Sequence, residues 1–311
     1  MLSSTKKELS LKRAQFFSCV RSFFEKKSFV EVRTPFLVSN PGLEPHLSYF
    51  ESTYSGEMSD SEEKLYYLPT SPEYHLKIAL SWGLEKIYEI KKSFRNGEKG
   101  RHHAPEFEML EWYRLNESYQ SIAQDSIELF EYCSQKLTWA KNFSPMTQLQ
   151  LPEYFQEKTG LSFGELRKKH GVHFVEEFSR LMVDQVESSL KEIPLVILWN
   201  FPKELAALSQ ESSDYEDCCE RFEIYIHGIE IANCFGELCD KDRLIEKCKA
   251  DIQERKRLHP LKNCPELDEN FIQAHDSIDQ AAGIALGLDR LFCALAGYSS
   301  LSEANPFAEK I

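Results

Sequence analysis

The chain has 311 residues, of which 42% are hydrophobic and 28% are charged, and its formal net charge is −13 at pH 7. This composition is typical of a globular protein, and the acidic balance disfavours tRNA or another polyanion as a partner, because nucleic-acid binders usually carry a basic excess. No stretch reaches the roughly 18 consecutive apolar residues of a membrane span, and the polar start MLSSTKKELS is unlike a signal peptide. We therefore expect a cytoplasmic protein without membrane contact.

Nine cysteines are scattered along the chain, without a C-x-x-C pair and without a histidine at the spacing of a zinc site. This pattern indicates neither a zinc site nor a disulfide framework. We expect reduced thiols.

The first part of the chain predicts two helices and a short strand. Apolar side chains recur at helical spacing over residues 9–27, and residues 29–32 follow as a strand. A second helix is predicted to start at Thr70-Ser71-Pro72-Glu73, with a hydroxyl cap and a proline at its first position. Glu73 at this point also suits the helix dipole alone, so its role stays open from the residues themselves.

Residues 87–114 are typical of a hairpin with a long, charged loop. Alternation along the two strands groups the side chains of each strand by face. On one face of the first strand lie Glu89, Lys91, Ser93 and Arg95, and on one face of the second lie Phe107, Met109, Glu111 and Tyr113. The basic residues of the connecting loop suit a polyphosphate, although a solvated charged loop is the commoner case.

The segment ERFEIYIHGIEIANCFGE, residues 220–237, predicts a second hairpin with a tight turn at His227-Gly228. Alternation places one set of residues on a core face: Phe222, Ile224, Ile226, Ile229 and Ile231. It places another set on the opposite face: Arg221, Glu223, Tyr225, Glu230 and Ala232. Glu223 and Glu230 are then diagonal neighbours roughly 7 Å apart, a spacing at which two carboxylates hold one hard cation. An ordinary amphipathic hairpin with a solvated face explains the same pattern.

Three further segments complete the prediction. Residues 195–199, LVILW, form a continuous apolar run and predict a buried strand, and residues 240–259 predict a charged helix. Residues 283–290, GIALGLDR, join a strand to a helix. We expect Asp289 at the cap position of that helix and Arg290 beside its start, where it would add to an anion site.

Six segments together resemble the class II aminoacyl-tRNA synthetases, and within them the lysyl branch. They are TSPEYHLK (70–77), SFRN (93–96), H-x-PEF-x-MLEWY (103–113), RFEIY (221–225), GIEIAN-x-F-x-EL (228–238) and GIALGLDR (283–290). Each segment is weak alone, but their combination is specific. The resemblance implies an α+β fold, with an antiparallel sheet flanked by helices that we expect on one side.

Within this class the chain is most similar to a truncated family, the elongation factor P–lysine ligases. Ser71 and His75 in TSPEYH, and Ala285 in place of a glycine, are features of that family. We expect one catalytic domain over residues 1–311, with a helical insertion at about 140–195 and without an anticodon-binding domain. Motif one of this class builds a two-fold interface, so we also expect a homodimer.

The resemblance implies a two-step reaction with ATP and Mg²⁺ as cofactors. The carboxylate of lysine or (R)-β-lysine attacks the α-phosphorus of ATP, and the aminoacyl group then passes to a lysine side chain of elongation factor P. The chemistry at phosphorus requires charge neutralisation and in-line positioning. Ser71 and Ala285 favour β-lysine over α-lysine as the substrate.

The same resemblance assigns the nucleotide site. Arg95 and Arg290, the catalytic residues, hold the α- and γ-phosphates, and His103 lies near the triphosphate. Phe107 stacks on adenine. Glu223 and Glu230 hold Mg²⁺ that bridges the phosphates, and Glu223 thereby belongs to the ATP site.

The substrate site is assigned in the same way. Glu237 and Tyr113 receive the distal ammonium, which needs a carboxylate in a closed pocket. Glu73 and Ser71 receive the other amine, and Asn233 receives the carboxylate. Ala285 completes the set.

Three departures from the family pattern stand out. Gly97 follows Phe94-Arg95-Asn96, so the usual motif-two carboxylate is displaced by one residue, to Glu98, or absent. Ala104 replaces a common asparagine, and both changes are expected to weaken ATP binding. Cys234 replaces a glycine and is expected to add bulk beside the substrate pocket.

Two other functions remain open from the sequence. One is a stand-alone amino-acid-activating enzyme with a different acceptor. The other is a catalytically silent paralogue that binds lysine or a protein and regulates it, which the changes at Gly97 and Ala104 allow. Retention of both arginines, both metal carboxylates and Glu237 favours an enzyme.

Overall fold

The structure is a computed structural model that describes residues 2–55 and 63–307. These residues form ten strands and eleven α-helices, together with three short 3-10 turns and one π-helical segment, Met182–Glu187. The strands are β1 (Val30–Glu31), β2 (Phe50–Tyr54), β3 (Lys64–Leu68), β4 (Lys86–Phe94), β5 (Glu106–Leu115), β6 (Thr147–Gln150), β7 (Leu195–Trp199), β8 (Arg221–Ile226), β9 (Ile229–Gly236) and β10 (Ala281–Gly287). The helices are α1 (Leu2–Lys26), α2 (Glu73–Leu80), α3 (Tyr119–Lys136), α4 (Leu151–Thr159), α5 (Phe163–His170), α6 (Phe174–Leu181), α7 (Ser188–Leu190), α8 (Lys241–Leu258), α9 (Glu269–Ala274), α10 (Leu288–Ala296) and α11 (Leu301–Ala304).

Eight strands form one sheet in the order β1-β4-β5-β10-β9-β8-β7-β6, and β2 pairs with β3 in a separate ribbon. The outermost pairs, β1 with β4 and β6 with β7, are parallel, whereas the six central strands run antiparallel. This arrangement confirms the predicted α+β class and its antiparallel sheet.

One face of the sheet is apolar and packs against α1, α3 and α10. Phe16 and Phe24 of α1, Leu129 of α3 and Phe292 of α10 are fully or almost fully buried there, together with Trp112 of β5. Burial of apolar side chains of this size stabilises the fold by roughly 1.5–3 kcal/mol each. This cluster is the main core.

The expectation of helices on one side was wrong, because helices also cover the opposite face. Residues 151–190 form α4 to α7, and their apolar side chains pack on Val196 and Leu198 of β7. Leu195 and Ile197 of the same strand point into the main core. Burial on both faces explains why the sequence of β7 is continuously apolar. The region 140–195 also contributes strand β6, and that it is an insertion stays a prediction.

The hairpin of β8 and β9 contains a β-bulge that alternation alone does not predict. Ile226 pairs with Ile229 and Tyr225 with Glu230, as predicted, but Ile224 pairs with Ala232. One extra residue, Ile231, therefore lies between the partners on β9. The bulge reverses the alternation beyond it, so the prediction that Ala232 shares the face of Glu223 was wrong. Ala232 is buried in the main core instead.

The same bulge turns three later residues towards the polar face of the sheet. Asn233 lies directly opposite Glu223, and Phe235 lies opposite Arg221. Plain alternation from Glu230 would direct Asn233 and Glu237 into the core. The bulge is what lets this strand contribute side chains to a site.

Two predicted helix starts differ from the structure. Pro72 is the residue before α2 rather than its first residue, and the Ser71 hydroxyl accepts a hydrogen bond of 3.3 Å from the Glu73 N–H. Gly287, not Asp289, precedes α10. The Asp289 carboxylate instead accepts hydrogen bonds from Arg13 at 2.8 Å and from the Glu108 N–H at 2.7 Å, which ties α10 to α1 and β5.

All nine cysteines are free thiols. Among the residues that the structure describes, the helices are all too short or too polar to cross a bilayer.

Candidate active site

Two neighbouring cavities lie on the polar face of the sheet, over β4, β5, β9 and β10. The first is lined by Phe107 and by the charged side chains of Arg95, Glu98, Glu230 and Arg290, among others. The second encloses about 540 Å³ and is lined by all six predicted substrate residues. Arg95, Asn233 and Ala285 line both cavities. Ligands in the two cavities would therefore share these three residues as contacts.

The first cavity holds two guanidinium groups in fixed positions. Arg290 donates from Nε to the His102 carbonyl at 3.0 Å and from Nη1 to the Glu230 carbonyl at 2.9 Å. The Arg95 guanidinium lies 5.3 Å from the centre of the Phe107 ring. Arginine in this number and geometry suits an anionic ligand with several oxygens, and the ring of Phe107 offers a flat apolar surface beside it.

In the basic loop that connects β4 to β5, His102 rather than His103 contacts this cavity. His102 lines the cavity, whereas His103 is exposed and pairs with Gly100 in the loop. Partial burial and the charges of Arg290 and Arg95 lower the pKa of His103, so its ring is close to both cations. The assignment of His103 to the triphosphate stays a prediction.

The displaced motif-two carboxylate reaches the cavity after all. Gly97 adopts φ = +85°, a left-handed conformation that favours glycine, and the turn brings Glu98 back to the cavity wall. A Glu98 oxygen lies 3.6 Å from Arg95 Nη1. Ala104 also lines this cavity. Of the two alternatives for the motif-two carboxylate, the structure favours displacement over absence.

Glu223 and Glu230 interact electrostatically, and Glu230 lines the first cavity. Glu223 is buried and accepts hydrogen bonds from Arg221 and from the Tyr225 hydroxyl, and Tyr225 pairs with Glu230 across the hairpin. Glu230 lines the open cavity, yet the surrounding protein and then the charge of Glu223 raise the pKa of Glu230 to about 7. Repulsion between these two carboxylates is relieved by a cation between them.

The carboxylates of Glu223 and Glu230 fit a magnesium ion that binds together with a nucleotide. In the described part of the chain, no cluster of three or more histidine, cysteine or acidic side chains is arranged to hold a metal by itself. Mg²⁺ commonly uses one or two carboxylates and takes its other ligands from phosphate and water. Glu223 and Glu230 would hold such an ion, which when bound would neutralise phosphate charge.

The second cavity brings together the predicted substrate residues from four parts of the chain. They are Ser71, Glu73, Tyr113, Asn233, Glu237 and Ala285. The Tyr113 hydroxyl donates a hydrogen bond of 3.0 Å to Glu111, which also lines this cavity. Five residues that line the cavities have a buried polar atom without a hydrogen-bond partner in the described structure: Glu44 Oε2, Arg95 Nε, Arg221 Nε, Asn233 Oδ1 and Glu237 Oε2. Unpaired buried polar atoms around a cavity suit a ligand with complementary hydrogen-bonding groups.

Lys77 is the principal feature of this cavity that the sequence reasoning missed. Its ammonium group is almost fully buried and lies 2.7 Å from Glu73 and 2.6 Å from Glu237. Burial opposes a charge on Lys77, but the carboxylates of Glu237 and Glu73 outweigh it and raise the pKa of Lys77. The i,i+4 spacing of Glu73 and Lys77 on α2 was a signal that pointed to this ion pair.

One ammonium group balances only one of these two carboxylates. Burial and the charge of Glu73 raise the pKa of Glu237 to about 7 although Lys77 lowers it. Burial, and next Glu73, also raise the pKa of Glu111 well above its usual value. The cavity thus has a deficit of positive charge, which suits a cationic ligand.

Gly283 fits closely against this acidic group. A methyl group at Gly283 would lie 2.1 Å from Tyr113 Cε1 and 2.9 Å from Glu237 Oε1. Glycine is therefore needed at this point of β10 for Tyr113 and Glu237 to approach each other.

Cys234 lies elsewhere than predicted. It is completely buried in the main core, opposite Phe222, because the bulge directs it away from the cavity. The expectation of extra bulk beside the substrate was wrong.

Comparison with known proteins agrees with this geometry. The family model described as "tRNA synthetases class II (D, K and N)" matches residues 2–311. The chain belongs to the class II tRNA synthetase family. Two curated relatives in this class II family are named elongation factor P–(R)-β-lysine ligase, from Buchnera aphidicola subsp. Schizaphis graminum (33% identical over 96% of this chain and 94% of the relative) and from Haemophilus influenzae (32%, 96% and 94%). A third, from Aquifex aeolicus, is named a homolog of that ligase and is 34% identical over 92% of this chain and 94% of its own length.

Proposed function

We propose that this class II protein activates lysine or (R)-β-lysine with ATP and transfers the aminoacyl group to a lysine side chain of elongation factor P. The observation that carries the proposal is the junction of the two cavities at Arg95, Asn233 and Ala285. A cavity with two arginines and an aromatic ring opens there into a cavity lined by carboxylates. The printed names of the relatives point to the same reaction.

In the first step, the substrate carboxylate attacks the α-phosphorus of ATP, and the bond from that phosphorus to the bridging oxygen breaks to release pyrophosphate. Arg95 is placed to neutralise charge at the reacting phosphate, since it belongs to both cavities. Arg290, fixed by two carbonyl groups, would bind a phosphate farther from the junction. A carboxylate is already a nucleophile, so this step needs orientation and charge neutralisation rather than a general base.

In the second step, a neutral lysine amine of the acceptor attacks the carbonyl carbon of the adenylate. The amine loses a proton as the amide bond forms, and AMP leaves with the electrons of the broken carbon–oxygen bond. The substrate's distal ammonium would stay at Glu237, beside Tyr113 and Gly283. The acidic cavity thereby holds the aminoacyl group while the acceptor approaches.

We infer a cytoplasmic homodimer with a single catalytic domain, which does not act on tRNA. Exposed apolar side chains near the sheet edge support the dimer: Val30, Phe36 and Leu37 are about half exposed and lie at or just after β1, the outer strand of the sheet. Exposed apolar residues beside an edge strand suit an interaction surface. Light scattering of the purified protein tests this inference, and a monomer at micromolar concentration contradicts it.

Pyrophosphate exchange tests the activation step. The purified chain should exchange labelled pyrophosphate into ATP when lysine or (R)-β-lysine is present, and Arg95→Ala should abolish the exchange. A competition between the two isomers then decides which one is preferred. No exchange with either isomer supports a regulatory lysine-binding protein instead.

Incubation with elongation factor P tests the acceptor. Mass spectrometry should show an increment of one lysyl group on one lysine of the factor, and replacement of that lysine by arginine should remove it. Exchange activity without this increment supports an activating enzyme with another acceptor.

A further inference from the structure

Glu44 is a half-buried carboxylate in the second cavity that the site described above does not use. It lies in the loop between β1 and β2, and it lines the cavity together with Glu73 and Glu237. Its Oε2 atom is shielded from solvent and has no hydrogen-bond partner in the described structure. A buried, unpaired carboxylate is costly, so its presence calls for a reason.

Glu44 differs from the other acidic residues that line this cavity. Seven acidic side chains line it: Glu44, Glu73, Glu111, Glu204, Glu237, Asp251 and Glu254. Five of them form ion pairs with a lysine or arginine, and Glu111 accepts a hydrogen bond from Tyr113. Within the described residues, Glu44 has neither kind of partner.

The loop around Glu44 is held firmly by contacts that leave its carboxylate free. Arg255 is almost fully buried, but it donates to the main-chain carbonyl groups of Glu44 and Leu47, at 3.0 and 2.7 Å, rather than to the carboxylate. Thr70 and Tyr49 donate to the carbonyl groups of Pro41 and Gly42. The backbone of the loop is thus fixed by contacts in which the Glu44 carboxylate takes no part.

Gly42 makes room for this carboxylate. A methyl group at Gly42 would lie 2.5 Å from Glu44 Oε2, and Gly42 has φ = +112°, which L side chains rarely adopt. The loop conformation and the position of the carboxylate therefore depend on each other. This arrangement is pre-organised in the manner of a binding group.

The surroundings of Glu44 indicate which end of a substrate its carboxylate would contact. Burial and the nearby carboxylate of Glu73 raise the pKa of Glu44 to about 7, whereas Arg95 lowers it. Arg95 marks the junction with the nucleotide cavity, where the substrate carboxyl group would react. A methyl group at Gly42 would also lie 3.5 Å from Thr70 Oγ1, so the Glu44 carboxylate lies near Thr70, the residue before Ser71, whereas Glu237, which is assigned to the distal ammonium, is held by Lys77.

We propose that Glu44 acts with Ser71 and Glu73 to bind the amine nearest to the reacting carboxyl group of the substrate, the amine that the family resemblance assigns to those two residues. This inference rests on the proposed function and adds a specificity-determining residue to it. Glu73 shares its charge with Lys77, so Glu44 supplies the negative charge that the second ammonium of a diamino acid needs. A ligand that lacks this amine would leave Glu44 unpaired.

The test combines Glu44→Gln with the removal of one amine from the ligand. Glutamine keeps the size of the side chain and removes its charge. The ligands are lysine, or (R)-β-lysine if that isomer is preferred, and 6-aminohexanoate, which keeps the carboxyl group and the distal amine but lacks the other amine. The measurements are KM for the diamino acid in pyrophosphate exchange, the inhibition constant of 6-aminohexanoate, and direct binding of both by calorimetry.

Glu44→Gln should raise KM and the dissociation constant of the diamino acid about tenfold or more, the effect of a lost hydrogen bond to a charged group, and change those of 6-aminohexanoate by less than about twofold. Glu51→Gln, an exposed carboxylate on β2 outside both cavities, should change neither. The ligand-free Glu44→Gln protein should also melt at a higher temperature than the wild type, because an unpaired buried charge is removed. A purely structural role for Glu44 predicts a lower melting temperature.

Equal effects of Glu44→Gln on both ligands, or no effect on either, overturn the inference while wild-type exchange leaves the proposed function standing. Absence of exchange and of diamino acid binding in the wild type overturns both. The two failures are thereby distinguishable.

Discussion

Lys77 Nζ lies 2.6 Å from Glu237 Oε2, in a position where both side chains are almost completely buried. The same ammonium lies 2.7 Å from Glu73. Buried charges persist only with partners, so Lys77 holds two carboxylates together in the wall of the second cavity. Since one positive charge faces two negative ones, the pair is poised for a second cation, which a diamino acid would bring.

Replacement of Lys77 by methionine should destabilise the protein by about 3–5 kcal/mol, because it leaves Glu73 and Glu237 buried without a counter-charge. The measurement is denaturant unfolding near pH 7. Lys92→Met is the matched control: Lys92 pairs with Glu106 on the surface, where both side chains are half exposed, and its loss should cost at most about 1 kcal/mol. Equal costs for the two variants contradict the role assigned to Lys77.

Gly283→Ala tests the close approach of β10 to Tyr113 and Glu237. The added methyl group would lie 2.1 Å from a ring carbon that the hydrogen bond to Glu111 holds in place. We expect a loss of about 1–3 kcal/mol in stability and loss of lysine-dependent exchange.

Gly164→Ala is the control for that substitution. Gly164 lies in α5 with no heavy atom within 4 Å of an added methyl group, so the helix should gain about 0.5–1 kcal/mol. Full exchange activity in Gly283→Ala would show that Tyr113 and Glu237 do not need this fit.

Substrate binding should depend on pH through Glu237. Its pKa in the ligand-free protein is raised to about 7, by burial first and then by Glu73, so below pH 7 the carboxyl group must lose a proton before it pairs with an ammonium. The affinity for lysine should therefore be about tenfold weaker at pH 6 than at pH 8. The free energy of unfolding should depend on pH in the opposite direction. A carboxyl group whose pKa is raised in the folded protein stabilises the fold at low pH, and this stabilisation is lost as the pH rises towards 7.

Calorimetry in buffers of different ionisation enthalpy measures this proton release. Binding at pH 6.5 should release protons from the wild type, and Glu237→Gln should release fewer and bind more weakly. An affinity that is constant from pH 6 to pH 8 would show that Glu237 is already ionised in the free protein.

Much of the fold follows from local sequence patterns. The alternation in β4 and β5 correctly separates Trp112, in the core, from Glu111 and Tyr113, on the site face. The apolar run of β7 correctly predicts a buried strand, and the structure shows that both of its faces are covered. These predictions succeed because successive side chains alternate between the two faces of a regular strand. The position of a residue along the strand therefore decides which face it occupies.

The positions of the site residues are harder to predict from local sequence patterns than the fold is, and the bulge in β9 shows why. Alternation through Ile231 directs Asn233 and Glu237 to the core and Cys234 to the cavity, whereas family resemblance assigns Asn233 and Glu237 to the substrate. The structure agrees with the resemblance for these residues, since one extra residue reverses the pattern. A bulge is set by packing with strands distant in sequence, which a single segment does not reveal.

Charges brought together by the fold are hidden from the sequence for a similar reason. Glu44 and Glu237 are far apart in the chain, and nothing in either segment indicates that they share a cavity. Asp289 misleads in a different way. Its position near a helix start suggests a local cap, but its hydrogen-bond partners belong to α1 and β5.

The link between Asp289 and Arg13 is open to a double-mutant cycle. Both side chains are largely buried, and Asp289 Oδ1 lies 2.8 Å from Arg13 Nη2. We expect Asp289→Asn and Arg13→Met each to lower the free energy of unfolding, with a coupling energy of about 1–2 kcal/mol between them. Asp242→Asn is the matched control, because Asp242 is also the second residue of its helix, α8, but is exposed. If Asp289 acted only on the helix dipole, Asp289→Asn and Asp242→Asn would cost the same few tenths of a kcal/mol and the cycle with Arg13 would show no coupling.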